Sequence, residues 1–164
     1  MNQVQSKYII HEHTMALIPA RSIEYDTVVM EQDKKVHVRK TPLEIIKAAC
    51  YNEWYTYDGR RRAVSHHTNF HKKVPIPINA EKGIFFFPTR SPSHFETIWL
   101  SYKHIIQTIE ISRKPAQTKI VFYNGAQIVV PISSHILRRQ MERTFECMWR
   151  MGGGMDSLDI LKHS

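Results

Sequence analysis

Cysteine is scarce in this chain, and its two cysteines, Cys50 and Cys147, lie far apart in the sequence. Neither has a second cysteine nearby, so the Cys-x-x-Cys spacing that many zinc and redox sites use is absent. Each lies in an apolar pattern of helical period, which predicts two buried thiols. Two unpaired thiols are typical of a protein from a reducing cytoplasm.

Long apolar runs and a leader segment are also missing. No stretch approaches the roughly 18 apolar residues that a membrane-spanning helix needs. The first residues, MNQVQSKYIIHEH, lack the basic start and apolar core of a secretory signal peptide. We therefore expect neither secretion nor membrane insertion.

The residue spacings that enzyme sites use are absent as well. Gly152–Gly154 follows a helical pattern and lacks the Gly-Lys-Ser/Thr of a phosphate-binding loop, and neither Gly-x-Ser-x-Gly nor His-Glu-x-x-His occurs. Histidines cluster at His66, His67 and His71, but neighbouring rings diverge in any regular element and no cysteine ligand accompanies them. We predict no catalytic residues, no cofactor and no metal site, and hence no enzyme.

Positive charge is what the chain has in excess. Its 23 lysines and arginines outnumber 15 aspartates and glutamates, which gives a formal net charge of +8. An excess of this size favours a polyanionic partner, which could be nucleic acid, an anionic membrane or an acidic protein. Charge alone does not choose among the three.

The order of the apolar patterns predicts an α+β fold with a mostly antiparallel sheet. Turn residues at 32–34 and at Asn124-Gly125 predict two hairpins. The prolines of the segment 74–78 restrict that strand to the edge of a sheet. Strands are predicted near residues 8–10, 15–18, 27–30, 35–39, 74–78, 84–87, 97–102, 105–111, 119–123 and 127–132.

Two main helices are predicted, over about 42–57 and 134–151. The first begins at Thr41-Pro42-Leu43-Glu44, which combines a cap, a proline at the first helical position and a capping-box glutamate, and it should stop at Asp58-Gly59. In the second helix the apolar side chains follow helical spacing, and we expect them to pack in the core, with a dimer contact as the alternative. They are Leu137, Met141, Phe145 and Met148, with Trp149 beside them. Residues 1–151 should form one domain, and residues 152–164 a flexible tail.

The segment from Gly59 to Lys73 carries five positive charges and no negative one. It shows no clear periodicity, which predicts a polar loop. Clustered guanidinium groups bind phosphate oxygens bidentately or enter a narrow minor groove, so this loop is our candidate DNA contact; a solvated surface loop is the alternative. Side chains here and nearby that can reach phosphates or base edges are Arg60, Arg61, Arg62, His66, Asn69, Lys72, Lys73 and Arg90.

Several short segments recur in an order and spacing typical of one family. They are Thr41–Ile45, Tyr57–Arg60, Lys73–Ile76, Ile84–Thr89 with Ser91-Pro92, Trp99–Ile105, Phe122–Gly125, Pro131–Ser133 and Gln140–Thr144. In these segments the chain resembles the ComK family, the competence transcription factors of Bacillus-type bacteria. The resemblance runs from about Lys40 to Trp149.

This resemblance implies a DNA-binding activator of competence (DNA-uptake) genes, whose single DNA-binding domain would span residues 1–151. Such proteins bind A/T-rich boxes in double-stranded DNA, chiefly through the minor groove, as homodimers or higher oligomers. A cytoplasmic, nucleoid-associated location follows, with RNA polymerase as a further candidate partner. Family members have a longer C-terminal tail that a proteolytic adaptor reads, so we do not expect adaptor control of a chain that stops soon after Gly154.

Two other functions fit the same residues. The first is a shortened paralogue without DNA affinity that modulates a full-length activator by protein–protein interaction. The second is an RNA-binding protein, but the aromatic motif of the common RNA-binding sheet is absent. The aromatic run Ile84–Phe87 is better suited to a core strand.

Overall fold

The computed structural model describes residues 3–153, and within this range the chain forms ten strands and three α-helices. The strands are β1 (Val4–Gln5), β2 (Thr14–Pro19), β3 (Thr27–Glu31), β4 (Lys35–Val38), β5 (Ile76–Asn79), β6 (Ile84–Pro88), β7 (Trp99–Ser101), β8 (Ile105–Arg113), β9 (Ala116–Phe122) and β10 (Gln127–Val130). The helices are α1 (Pro42–Asn52), α2 (Tyr57–Thr68) and α3 (Ser134–Met148), and a π-helical stretch, Trp149–Gly153, follows α3. The α+β prediction is confirmed; most of the predicted tail, residues 154–164, lies outside the described residues.

The strands form two sheets. Seven strands lie in the order β1-β4-β3-β2-β7-β6-β5 and three in the order β10-β9-β8. Only the β1–β4 pair is parallel among the described strands. Both predicted hairpins, β3–β4 and β9–β10, are present, and proline-containing β5 lies at an edge as predicted. The predicted strand at 8–10 is wrong: Tyr8 and Ile10 are buried in an irregular segment.

Both faces of the seven-stranded sheet are covered by apolar side chains. On one face, Leu17, Phe86 and Trp99 pack against residues of α1 such as Ile46. On the other face, Met15, Phe87 and Leu100 pack against the three-stranded sheet and α3. The same cluster contains Ile120 and Phe122 of β9 and Leu137 of α3. A third cluster joins α2 to α3 through Val64, Val74, Phe85 and Cys147. Along β6, Phe86 belongs to the first of these clusters and the next residue, Phe87, to the second. Successive side chains of a strand that is buried on both faces must alternate in this way.

Helix α1 begins as predicted but ends early. Thr41 Oγ1 accepts from the Glu44 backbone N–H at 3.2 Å, and Glu44 Oε1 accepts from the Thr41 N–H at 3.0 Å, which completes the capping box. The helix then stops at Asn52 rather than near 57, because Trp54 takes a left-handed φ of 69°. The predicted stop, Asp58-Gly59, lies instead in the first turn of α2.

Helix α2 corrects the prediction of a polar loop over 60–73. The Oγ1 of Thr56 caps it by accepting from the Gly59 N–H at 3.0 Å, and a Cβ on Gly59 would lie only 2.7 Å from that oxygen. The buried side chains of this helix are Tyr57, Val64 and Thr68, which are too widely spaced to produce an apolar period in the sequence. The loop itself is therefore only Asn69–Lys73.

Helix α3 is present, but its buried face differs from the predicted one. Leu137, Gln140, Thr144 and Cys147 are buried, with Met141 and Met148 partly so. Phe145 is 53% exposed, so the prediction that it packs in the core is wrong, and Trp149 is 38% exposed. Gln140 can occupy the buried side because all polar atoms of its amide form hydrogen bonds.

Cys50 and Cys147 are buried free thiols, as predicted, and burial raises the pKa of both to about 11. At pH 8 almost no thiolate is present, so reaction with a thiol reagent should be about a hundredfold slower than for an exposed cysteine. A time course of labelling with and without denaturant checks this. Rapid modification of either thiol in the native protein would contradict the buried positions.

Candidate nucleic-acid interface

The loop Asn69–Lys73 joins α2 to the strand region that contains β5, and its backbone is unusual at both ends. Asn69 closes α2 with φ 64°, and its N–H donates to the Ser65 carbonyl at 2.9 Å. Lys73 has φ 51°. Each left-handed residue that is not glycine costs on the order of 1 kcal/mol, so the surrounding structure must hold this loop in place.

Helix α3 provides that support through Gln140. The Nε2 of this buried amide donates to the carbonyl oxygens of Lys73 and Pro88, each at 2.9 Å. Its Oε1 accepts from the Nη1 of Arg143 at 2.6 Å. Every polar atom of the amide is therefore engaged, which explains its burial.

Arg143 fixes the same loop from one turn further along α3. Its Nη2 donates to the Lys72 carbonyl at 2.7 Å, and its guanidinium carbon lies 4.4 Å from the centre of the Phe70 ring. Stacking and a charge-assisted hydrogen bond thus act on one short segment. These contacts dock the loop on α3 through the backbone carbonyls of Lys72 and Lys73.

Two grooves border the loop and share His71, Lys72 and Lys73 in their linings. The first, of about 460 Å³, lies between the loop and α3 and is lined by Asn69–Lys73, His135, Ile136, Arg139, Gln140 and Arg143. The second, of about 700 Å³, lies between the loop, α1 and the start of α2; its lining includes Lys47, Tyr57, Arg61, His71–Val74 and Ser91–Ser93. We call the loop and these flanks the basic ridge.

Apart from Arg61, which pairs with Asp58, the lysines and arginines of the basic ridge have no carboxylate within ion-pair distance among residues 3–153. Burial, then the charges of Arg143 and Arg139, lower the pKa of Lys73. Burial and Arg139 likewise lower the pKa of Arg143. Among residues 3–153, no carboxylate lies within ion-pair distance of Lys72 or of these three side chains. Clustered cations without a carboxylate partner favour an external anion.

The structure brings together four of the predicted contact residues. Asn69, Lys72 and Lys73 line the first groove, and both lysines also line the second. Arg61 lines the second groove and pairs with Asp58 at 3.5 Å.

The other four predicted residues lie elsewhere. Arg60 donates to the Pro77 carbonyl at 3.0 Å and stacks on Tyr55, with 3.7 Å between its guanidinium carbon and the ring centre. Arg90 donates to the Pro131 carbonyl at 3.1 Å. Arg62 and His66 are exposed on the outer side of α2. Successive helical residues diverge by about 100°, so the three arginines cannot reach one groove together.

Several residues of the basic ridge were not among the predicted contacts. Lys47, His135, Arg139, Gln140 and Arg143 come from α1 and α3. The sequence does carry one signal for them, since Arg139 and Arg143 are four residues apart and share a helix face. What the sequence does not reveal is that this face lies against the loop.

No helix within 3–153 is long and apolar enough to cross a bilayer. In the same part of the chain, no group of three or more His, Cys, Asp or Glu side chains is arranged to hold a metal ion.

Comparison with known families decides the relationship. The model of the family described as "ComK protein" matches residues 5–153. The chain belongs to the ComK family. The matched range contains the whole basic ridge.

A curated relative gives the same result. The chain is 28% identical over 143 residues to the competence transcription factor of Bacillus subtilis (strain 168), which covers 84% of this chain and 71% of that protein. No solved structure matches the chain. The resemblance found in the sequence is confirmed. The family is one of transcription factors rather than enzymes, so the prediction that the chain is not an enzyme is confirmed by the same matches.

Proposed function

We propose that this chain is a transcription activator of competence genes that binds A/T-rich boxes in double-stranded DNA, mainly through the minor groove. The observation that carries the proposal is the basic ridge, where Lys72, Lys73, Arg139 and Arg143 cluster without carboxylate partners among the described residues. Its support from relatives is the similarity to a competence transcription factor.

The shape of the basic ridge suits a minor groove. That groove is about 6 Å wide and has phosphates along both rims, so a narrow loop can enter it while cations on either side reach the two strands. Arg139 lines the first of the two grooves that border the loop, and Arg61 lines the second. The Asn69 amide, which is exposed at the start of the loop, can donate to the A N3 and T O2 acceptors of A/T pairs.

Of the eight DNA-contact residues predicted from the sequence, we propose four as direct contacts: Asn69, Lys72, Lys73 and Arg61. Arg60 and Arg90 would act by holding backbone, because their guanidinium groups donate to Pro77 and Pro131. Arg62 and His66 would contribute at most long-range charge.

The remaining parts of the proposal follow from the family. We propose that residues 1–151 form one DNA-binding domain and that the protein acts as a homodimer or higher oligomer. We further propose that it works in the cytoplasm, associated with the nucleoid, and contacts RNA polymerase at its promoters.

Titration of a duplex with paired A/T boxes against a scrambled duplex, each at two salt concentrations, tests this function. The boxes should bind at least about tenfold more tightly, and affinity should fall steeply with salt because phosphate contacts release counterions. Absence of binding to either duplex at low salt would overturn the proposal. That result would favour the protein–protein interaction module instead.

A further inference from the structure

Trp54 occupies a position whose backbone normally belongs to glycine. The Trp54 N–H donates to the Tyr51 carbonyl and the Tyr55 N–H to the Cys50 carbonyl, each at 3.0 Å. These two bonds form the Schellman motif that ends α1, with Trp54 as its left-handed residue at φ 69°. Glycine adopts this conformation without a Cβ penalty, whereas a bulky aromatic residue does so rarely.

The folded chain gains no packing from this tryptophan. The side chain of Trp54 is 95% exposed, whereas Trp99 is fully buried and Trp149 is 38% exposed. A strained backbone and an exposed indole both oppose stability, and glycine would avoid both. The side chain is therefore better explained by a contact outside the chain than by the fold.

The surroundings of Trp54 indicate what that contact is. Tyr57, three residues further on and so within about 11 Å along the chain, lines the second groove of the basic ridge. Lys47 lies over the Tyr57 ring at 5.9 Å and lines the same groove. Tyr51, one helical turn before Trp54, adds a second exposed aromatic side chain at 68%.

The two carboxylates nearest in sequence are already engaged. Glu53 accepts from the Asn79 amide at 3.3 Å, and Asp58 pairs with Arg61 at 3.5 Å. An exposed aromatic group within three residues of the lining of a cationic groove favours a partner that offers both negative charge and flat apolar surface. Duplex DNA presents phosphates beside sugars and bases, and proteins that bind the minor groove frequently place apolar side chains against it.

We propose that Trp54 is a further DNA-contacting residue, whose indole packs into the minor groove next to the stretch that the basic ridge holds. This inference rests on the proposed function of the basic ridge. It adds an apolar contact, which salt does not screen, to the phosphate contacts of that site.

The substitution Trp54→Gly tests the inference, because glycine suits the backbone better than tryptophan does. The variant should unfold at the same temperature as the wild type or higher, yet bind the A/T-box duplex about tenfold more weakly with an unchanged salt slope. Ile23→Ala is the matched control, since Ile23 is also fully exposed and its loss should leave affinity unchanged. In the wild type, duplex should also quench the red-shifted fluorescence of the exposed indole, and Trp54→Gly should lack this response.

The outcomes separate this inference from the proposed function. If the wild type binds duplex and Trp54→Gly binds equally well, or if duplex does not change the indole fluorescence, Trp54 is not a DNA contact although the protein binds DNA. If the wild type binds no duplex at low salt, the proposed function fails and this inference fails with it. A stable Trp54→Gly variant that has lost about tenfold in affinity supports both.

Discussion

Replacing Gln140 with leucine is expected to lower the free energy of unfolding by about 3 kcal/mol or more. The change removes one amide and leaves the carbonyl oxygens of Lys73 and Pro88 without their donor, and Arg143 without its acceptor. A buried polar group without a partner costs about 1–3 kcal/mol. The bond to the Pro88 carbonyl is buried, and the other two bonds are partly buried and add to that cost. Urea unfolding followed by circular dichroism measures the loss.

Gln127→Leu is the matched control for this experiment, because Gln127 is exposed on β10 and the same side-chain change there should stay within about 0.5 kcal/mol of the wild type. A Gln140→Leu protein as stable as that control would show that α3 does not hold the loop. The loop Asn69–Lys73 would then not depend on the Gln140 amide for its position.

The double variant Lys72→Gln/Arg139→Gln is expected to bind A/T-box duplex about tenfold to a hundredfold more weakly than the wild type. Both side chains line the first groove and neither forms an ion pair within residues 3–153, so their removal leaves the known contacts intact. Each phosphate contact contributes close to one unit to the slope of log affinity against log salt, so the slope should fall by about two.

A control with the same change of charge is available in Arg62→Gln/Arg138→Gln. Both arginines are exposed, and neither lines the grooves of the basic ridge. Arg138 adjoins Arg139 on α3, so the two variants compare neighbouring residues on different faces of one helix. If the control weakens binding and lowers the slope as much as the ridge variant does, net charge or the outer side of α2 carries the affinity instead.

Much of the fold can be predicted from short local patterns in the sequence. The cap, proline and glutamate at Thr41–Glu44 start α1, and Asn124-Gly125 turns β9 into β10, where Gly125 has φ 88°. Each of these features depends on a few adjacent residues. Tertiary packing need not be known for them to be recognised.

Helix α2 was not predicted, because its sequence carries no such local pattern. Three residues of α2 are buried, at positions 57, 64 and 68, and so its sequence has the appearance of a polar loop. The glycine that suggested a stop, Gly59, is required instead by the Thr56 cap. Helix α1 is ended by the left-handed backbone of Trp54, two residues after its last residue, and no rule for helix ends would select a tryptophan there.

The candidate site could be predicted only in part for a related reason. The charges of Lys72 and Lys73 are visible in the sequence, but Arg139 and Arg143 lie more than sixty residues away and reach the loop only through tertiary packing. The burial of Gln140 reverses the usual rule for a polar residue, because its partners come from the loop and from β6. Both features depend on long-range contacts, which local patterns do not encode.

Hydrogen–deuterium exchange of the protein with and without A/T-box duplex tests the central claim most directly. Duplex should slow exchange in peptides that contain the loop Asn69–Lys73 and the first half of α3, while peptides from the buried strand β6 should be unchanged. Protection confined to other surfaces, with the loop exchanging as fast as in the free protein, would contradict the assignment of the basic ridge as the DNA interface.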